Sequence, residues 1–254
     1  MITKLQVKYI QSLGQKKLRD EAQVFVAEGP KIINELLGAG PASLVTLFAT
    51  AQWIAANALL IQQLPAAAVN EVTSTELERL SFQQTPHDVL GVFKKPAPAR
   101  PDFSNKLSLM LDGIQDPGNM GTLIRIADWF GVSNIVCSPD CADGFAPKVV
   151  QASMGSIVRV QLLYTDLVEL VSKTKGLALY AAALRGENLH AMPPLKEGII
   201  VIGNESKGIS QALLNCCRHR VTIPRIGHAE SLNAAVAAGI ILSHLTPGPS
   251  PPSA

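Results

Sequence analysis

Three short polar loops carry the side chains in this sequence that are best suited to chemistry on a bound ligand. Each loop comes after an apolar run and leads into a helical pattern. Open α/β sheets bind ligands at the carboxyl ends of their strands, so we expect the three loops to form one site. The polar residues that they contribute are Asn119 and Arg125 from the first loop, Asn204 and Glu205 from the second, and Ser231 and Asn233 from the third.

Each loop also has a purely structural interpretation. Asn119 and Ser231 stand where a helix cap would stand, and Arg125 would then be an ordinary surface arginine. The glycines around residues 203–208 either let a ligand approach the backbone or make a tight turn. Taken singly, the loops leave both interpretations open.

Several familiar catalytic motifs are missing from the sequence. It has no P-loop spacing (G-x-x-x-x-G-K-[ST]) and no G-x-G-x-x-G turn after an apolar run. It also lacks the G-x-S-x-G elbow of serine hydrolases. The five histidines have no metal-ligand spacing, and the four cysteines form no C-x-x-C pair. We therefore expect neither a metal nor an ordinary Rossmann dinucleotide site.

The elements that must position the loops alternate between short apolar runs and helical stretches. Runs at 107–111, 134–137, 177–180, 198–202 and 220–223 lack polar alternation, which is typical of parallel strands covered on both faces. Helical patterns lie between them and close the chain, at 120–130, 166–174, 210–216 and 231–244. This half of the sequence predicts an open α/β domain.

The first hundred residues predict a smaller α/β domain. A helix is expected over 5–22, with Leu5, Tyr9, Leu13 and Leu18 on its apolar face, followed by strands at 25–29, 43–48 and 89–93. Three prolines between residues 96 and 101 mark an extended linker. The predicted domains are 1–96 and 106–246, with a linker at 97–105 and a flexible tail at 247–254.

Composition narrows the class of protein further. In 254 residues, 47% are hydrophobic and 17% charged, so the chain can bury a core and is not globally disordered. A net charge of +2 excludes a histone-like polycation. No signal-peptide pattern and no run of about 18 apolar residues occurs, which predicts a cytoplasmic protein without a membrane span.

Together and in this order, the three loops resemble the motifs of the SpoU (TrmH-type) RNA ribose 2′-O-methyltransferases, members of the trefoil-knotted methyltransferase superfamily. The resemblance spans about 105–245. The stretch 17–29 is similar to the start of the substrate-binding domain often fused to these enzymes, a small ribosomal-protein-like α/β RNA-binding fold. The matching residues are Asn119 and Arg125 in N-x5-R spacing, Gly203-Asn204-Glu205 with Gly208, Ala152-Ser153-Met154-Gly155-Ser156, and Ser231-Leu232-Asn233 after Ile223-Pro224.

The resemblance implies a knotted domain that binds S-adenosylmethionine and dimerises near its last helix. Gly203, Asn204, Ile223 and Leu232 would contact the cofactor, largely through backbone groups. The implied catalytic residues are Arg125, which would bind the neighbouring phosphate and stabilise the developing alkoxide, together with Asn119, Glu205, Ser231 and Asn233, which would orient the arginine, the loops or the substrate.

RNA is the partner that the resemblance implies. The N-terminal stretch offers basic residues for phosphate contacts, chiefly Lys8, Lys16, Lys17 and Arg19, although a solvated helix face is the alternative for each. We expect large-subunit (23S) rRNA as substrate. A transfer RNA ribose or base methyltransferase of the same fold, and a non-catalytic rRNA-binding assembly factor, remain the alternatives.

Overall fold

The computed structural model describes residues 2–97, 101–174 and 176–248. Residues 98–100 of the predicted linker and 249–254 of the predicted tail lie outside this range. Two compact units are present. The first contains the residues before 98 and Asp143–Val158, and the second contains the rest.

The elements follow one another in α/β alternation along the chain. Before residue 98 they are α1 (Lys4–Ser12), α2 (Lys16–Ala22), β1 (Val24–Glu28), α3 (Pro30–Ala39), β2 (Leu44–Ala49), α4 (Ala51–Ala56), α5 (Ala58–Ile61), β3 (Val69–Glu71), α6 (Ser74–Leu80) and β4 (Val89–Lys94). After it they are β5 (Leu107–Asp112), α7 (Pro117–Trp129), β6 (Asn134–Cys137), α8 (Pro147–Ser153), β7 (Gln161–Tyr164), α9 (Leu167–Lys173), β8 (Leu179–Asn188), β9 (Gly198–Gly203), α10 (Gln211–Cys216), β10 (His219–Thr222) and α11 (Ala234–Leu245).

The first unit is built on a four-stranded sheet in the order β1-β4-β2-β3. Strand β4 pairs antiparallel with β1 and β2, whereas β2 and β3 are parallel. Every residue of β1 is buried. Helix α8, which is distant in sequence, packs on β1 within this unit.

The single helix expected over 5–22 is wrong. Helix α1 ends at Ser12, because the peptide N–H groups of Leu13 and Gly14 bond to carbonyls three residues back instead of four. Gly14 lies close to Phe82, since a Cβ at position 14 would be 2.9 Å from the Phe82 ring. The expected apolar face is only partly right: Leu13 is buried as expected, but Leu5 is 77% and Tyr9 41% exposed, and Ile10 is buried although it was not expected on that face.

The second unit contains a six-stranded parallel sheet in the order β10-β8-β9-β5-β6-β7. All five strands expected from the apolar runs are present, and β7 is an additional one. Strands β5 and β9 are buried along their apolar lengths, as expected for strands covered on both faces. Strand β8 extends ten residues and pairs with β10, and Gly186 lets them approach because a Cβ there would lie 2.4 Å from the Arg220 carbonyl oxygen.

The order of these strands positions the loops of interest. The chain leaves β5 toward β6 on one side, and β9 lies on its other side. Ligands bind at such a switch point in open α/β sheets. The loops that follow β5 and β9 therefore start side by side, with Asp112 paired to Gly203 in register.

The part of the chain that the structure describes contains neither a helix suited to span a membrane nor a cluster of metal ligands. None of its helices combines the length and apolar character needed to cross a membrane. No group of three or more histidine, cysteine, aspartate or glutamate side chains in the same residues is arranged to hold a metal ion.

Candidate active site

The loops after β5 and β9 are locked together by two side chains. The Asn204 amide donates a hydrogen bond to the Gly113 carbonyl oxygen at 2.7 Å. The Asp112 carboxylate accepts one from the Ser210 backbone N–H at 2.7 Å. Each bond joins one loop to the other, so the relative position of the two loops is fixed without any contribution from Arg125.

The loop after β9 is a tight turn that presents Glu205 to solvent. Asn204 and Gly208 exchange backbone hydrogen bonds of 3.0 and 2.9 Å, and the Asn204 side-chain oxygen accepts from the N–H groups of Ser206 and Lys207. A Cβ on Gly203 would lie 2.3 Å from the Gly208 carbonyl carbon. Turn closure alone therefore requires glycine at position 203, and leaves only backbone groups there for a ligand.

The loop after β5 is held by groups from the end of β6. The Ser138 hydroxyl oxygen accepts from the Gly113 N–H at 2.8 Å, and the Cys141 sulfur accepts from the Ile114 N–H at 3.3 Å. Hydrogen bonding to the Cys137 thiol lowers the pKa of Cys141 to about 7, against the opposing effect of burial.

Helix α7 begins at Pro117, three residues before the start expected at residue 120. Asp116 caps it, because its carboxylate accepts from the Asn119 backbone N–H at 2.7 Å, and Pro117 occupies the first helical position. The Asn119 side chain is thus not the cap, and it is available for other contacts.

The Asn119 side chain joins the three loops. Its Nδ2 donates to Glu205 Oε1 at 2.5 Å, and its Oδ1 accepts from Asn233 Nδ2 at 2.9 Å. An ionised glutamate only accepts, so it requires the amino group of Asn119, and Asn233 must then donate to the remaining oxygen. The Asn233 oxygen is left to face the backbone of α11.

Asn233 uses that oxygen to cap α11. Its Oδ1 accepts from the N–H groups of Ala235 and Val236 at 3.0 and 3.2 Å. The last helix therefore starts at Ala234 instead of residue 231, and Ser231 is not its cap. Ser231 is exposed, and its hydroxyl has no hydrogen-bond partner among the described residues.

Arg125 lies on α7, six residues after Asn119. It is exposed, and its guanidinium contacts no acceptor or carboxylate within the described ranges. Glu205, which could have held this arginine, bonds to Asn119 instead. The structure thus brings Asn119, Glu205 and Asn233 into direct contact and leaves Arg125 free to meet a substrate.

The segment between β10 and α11 offers the backbone hydrogen-bond donors expected of a cofactor-binding loop. In the described chain, none of the backbone N–H groups of 225–232 donates a hydrogen bond to protein. Ile223 is half-buried and Leu232 is 46% exposed, so apolar surface lies beside these free donors. Unpaired backbone donors next to apolar side chains suit the adenosine of S-adenosylmethionine, and the expected residues fit that group.

The basic residues expected to contact RNA do not form one set. Lys8, Lys16 and Lys17 are exposed, and Lys17 lies 3.8 Å from Glu21. Arg19, however, is 2% exposed, and its guanidinium donates to the Leu13 carbonyl and to the Asp143 carboxylate. The expectation that Arg19 contacts RNA is wrong, because it forms a buried ion pair inside the first unit.

The segment that adds Asp143–Val158 to the first unit, and helix α8 within it, was not predicted. Helix α8 spans seven residues, too few for a clear helical period. The stretch 152–156, singled out by its similarity to a family motif, overlaps the end of α8. Family similarity was the only signal in the sequence for this segment.

Comparison with known proteins assigns both parts of the chain. Residues 106–243 match the SpoU rRNA Methylase family, and residues 4–91 match the MRM3-like substrate binding domain. A Bacillus subtilis protein named 23S rRNA (guanosine(2553)-2′-O)-methyltransferase RlmP is 30% identical over 245 residues, covering 94% of this chain and 95% of its own length. A Synechocystis protein named as an uncharacterized tRNA/rRNA methyltransferase is 32% identical over 243 residues, 93% of this chain and 88% of the relative.

Solved structures agree with this assignment. A TrmH-family RNA methyltransferase structure from Porphyromonas gingivalis, described as putative, superposes with a TM-score of 0.85 at 36% identity, covering 96% of this chain and 98% of the other. An S-adenosylmethionine-bound rRNA methyltransferase from Sinorhizobium meliloti gives 0.82 at 29% identity, with 96% and 95% covered. The expected fold, a trefoil-knotted α/β methyltransferase domain after a small α/β domain, is confirmed, and so is the expected cofactor. The chain belongs to the SpoU family of S-adenosylmethionine-dependent RNA methyltransferases.

Proposed function

We propose that this chain methylates a ribose 2′-hydroxyl in large-subunit (23S) rRNA. The observation that carries the proposal is the Glu205–Asn119–Asn233 chain of hydrogen bonds, which joins the three loops and leaves Arg125 unpaired beside them. The name of the Bacillus subtilis relative, a 23S rRNA 2′-O-methyltransferase, supports the choice of ribose and of rRNA.

Arg125 acts on the substrate as a cation. Since a guanidinium stays protonated in proteins, it binds the phosphate next to the target ribose and stabilises negative charge on the 2′-oxygen as the proton leaves. The bound cofactor supplies an already activated methyl group. Alignment of the 2′-oxygen with that methyl is therefore a large part of what the protein must provide.

The remaining polar residues hold the substrate and each other. Asn119 is fixed by Glu205 and Asn233, so it orients the first turn of α7, and Arg125 projects from the same helix about 1.7 turns later. The free hydroxyl of Ser231 contacts the substrate. None of these residues has to change its protonation state in this proposal.

Residues of two loops hold the cofactor. Backbone groups at Gly203 and in 225–232 bind it by hydrogen bonds, and Ile223 and Leu232 pack on its apolar parts. The Asn204 side chain is occupied by Gly113, Ser206 and Lys207, so its contribution is to shape the loop.

RNA is held by the residues before the Pro-rich stretch, proposed as a domain of 1–96 joined by 97–105 to the methyltransferase domain of 106–246. Phosphate contacts come from Lys8, Lys16 and Lys17, and they supply affinity without sequence specificity. The match of 4–91 to a substrate binding domain supports this division. A protein acting on rRNA in this way works in the cytoplasm, where ribosomes are assembled.

The chain forms a homodimer through the second unit. Helices α7 and α11 pack together there, yet Trp129 at the end of α7 is 81% exposed and Val236 on α11 is 50% exposed. Exposed large apolar side chains on adjacent helices are typical of an interface. Val236→Glu should halve the molar mass measured by light scattering after size exclusion, and an unchanged mass would contradict this interface.

Methyl transfer tests the proposed reaction directly. Labelled S-adenosylmethionine is incubated with the protein and with total rRNA or total tRNA from cells that lack it, and the nucleosides are identified by mass spectrometry. We expect a 2′-O-methylated nucleoside in rRNA and none with Arg125→Ala. A methylated nucleoside in tRNA would show that tRNA is the substrate and not rRNA. Cofactor binding without transfer to either RNA would favour a non-catalytic assembly factor.

A further inference from the structure

A groove of about 590 Å³ lies in the first unit, with a largely apolar lining and several polar side chains around it. One wall is the segment between α6 and β4, and the other is helix α8. Its floor includes the buried end of β1. The side chains that matter for its chemistry are Phe82, Gln83, Gln84, His87, Lys148 and Gln151.

The polar side chains of this groove lack partners within the protein. In the described residues, the amides of Gln83, Gln84 and Gln151 make no side-chain hydrogen bond, and Lys148 makes no ion pair. His87 is exposed, and its ring covers Gly29, with 3.0 Å between the ring and a Cβ built there. Several amide groups and one cation thus face a cavity with their hydrogen-bonding capacity unused.

A carboxylate at the floor limits what the groove can accept. Glu28 is 5% exposed and accepts hydrogen bonds from the Ser81 hydroxyl and, at 2.9 Å, from the Phe82 backbone N–H. A negative charge in this position disfavours a small free anion. It tolerates a neutral base, whose amino group is a donor.

We propose that this groove binds one unpaired nucleotide of the RNA substrate. Its volume lies in the range of sites for single small ligands, roughly 300 to 1,000 Å³. Glutamine amides pair with base edges, the apolar ring of Phe82 gives a surface for the base, and Lys148 at the rim contacts the phosphate. The inference deepens the proposed function, because it states how the RNA is held at a point separate from the reacting loops.

A double variant tests the groove. Lys148→Ala combined with Gln151→Ala should weaken binding of a 23S rRNA transcript about tenfold, since a phosphate contact and a base contact are both lost. The matched control is Lys196→Ala with Gln62→Ala, which removes the same groups at exposed positions outside the groove. Urea unfolding of each variant, compared with the wild type, shows that the first unit is folded, because cofactor affinity reports only on the second unit.

Crosslinking locates the nucleotide independently of any substitution. A transcript containing 4-thiouridine is irradiated with the wild-type protein, and we expect crosslinked peptides that include 82–87 or 147–152. Equal affinity of the double variant and the control would overturn the inference, as would crosslinks confined to other segments.

The same experiments separate this inference from the proposed reaction. If the wild-type protein crosslinks through the groove but transfers no methyl group, the groove assignment stands and the proposed reaction fails. If the protein methylates rRNA while the double variant keeps the wild-type KM for RNA, the reaction stands and the groove assignment fails.

Discussion

Asn233 has two separable tasks, and two substitutions distinguish them. Its oxygen caps α11 and its amino group holds Asn119. Asn233→Ala removes both interactions. Asn233→Asp keeps an acceptor for the backbone of α11, where a negative charge at a helix N-terminus is favourable, but it cannot donate to Asn119.

The two variants should differ in local stability. Loss of a cap costs about 1 kcal/mol, and loss of the bond to Asn119 costs about 1 kcal/mol more. Asn233→Ala should therefore increase opening of the first turn of α11 roughly thirtyfold, and Asn233→Asp only about fivefold. The difference follows because only the alanine leaves the N–H groups of Ala235 and Val236 without an acceptor.

Methyl transfer should fall in both variants, by about 100-fold, because small misplacements of catalytic groups have effects of that size. With a carboxylate at position 233, Asn119 would face acceptor-only groups on both sides and could turn its amino group to one only. Amide hydrogen exchange of α11 and single-turnover methyl transfer are the measurements. Wild-type transfer by Asn233→Asp, or equal exchange in the two variants, would refute this reasoning.

Five further substitutions test individual assignments. Arg125→Ala should abolish methyl transfer. Cofactor affinity should stay within a few fold and the melting temperature should be unchanged, because the side chain has no partner in the described protein. Normal turnover by this variant would show that Arg125 is not a catalytic residue. Lys17→Ala should reduce the slope of log affinity for rRNA against log salt concentration by about 1. Arg19→Ala should instead lower the free energy of unfolding in urea by about 3 kcal/mol, because it leaves the nearly buried carboxylate of Asp143 without its counter-charge. Gly203→Ala should lower stability by about 3 kcal/mol through overlap with the facing backbone, while Gly227→Ala, with open space around it, should have no effect in the same melts.

The parallel sheet could be predicted because its strands are covered on both faces. Runs such as 107–111 and 198–202 carry no polar alternation, and each became a buried strand of the sheet. The strand order brought the loops of Asn119 and Glu205 together, as the strand-end rule predicts, and the packing of α11 on α7 added Asn233. The hydrogen bonds among these three side chains could not be predicted from the sequence, because each depends on the orientation of a terminal amide.

The errors share a physical origin in contacts between distant residues. Arg19 looked like a surface cation in a basic stretch, but Asp143, 124 residues away, draws it into the interior. Gly14, in the break between α1 and α2, lies against the ring of Phe82 from a distant segment. Neither partner is recognisable from local composition, because both contacts arise only when separate segments pack.

The composition of the first unit has a consequence for the order in which the protein can mature during translation. Its residues before 98 are synthesised long before Asp143–Val158, yet the unit includes both. Until that later segment emerges, β1 lacks the helix that covers it and Arg19 lacks its counter-charge. A nascent chain that stops at the Pro-rich stretch therefore holds an unfinished domain, and the first unit is completed only after part of the methyltransferase sequence has been made.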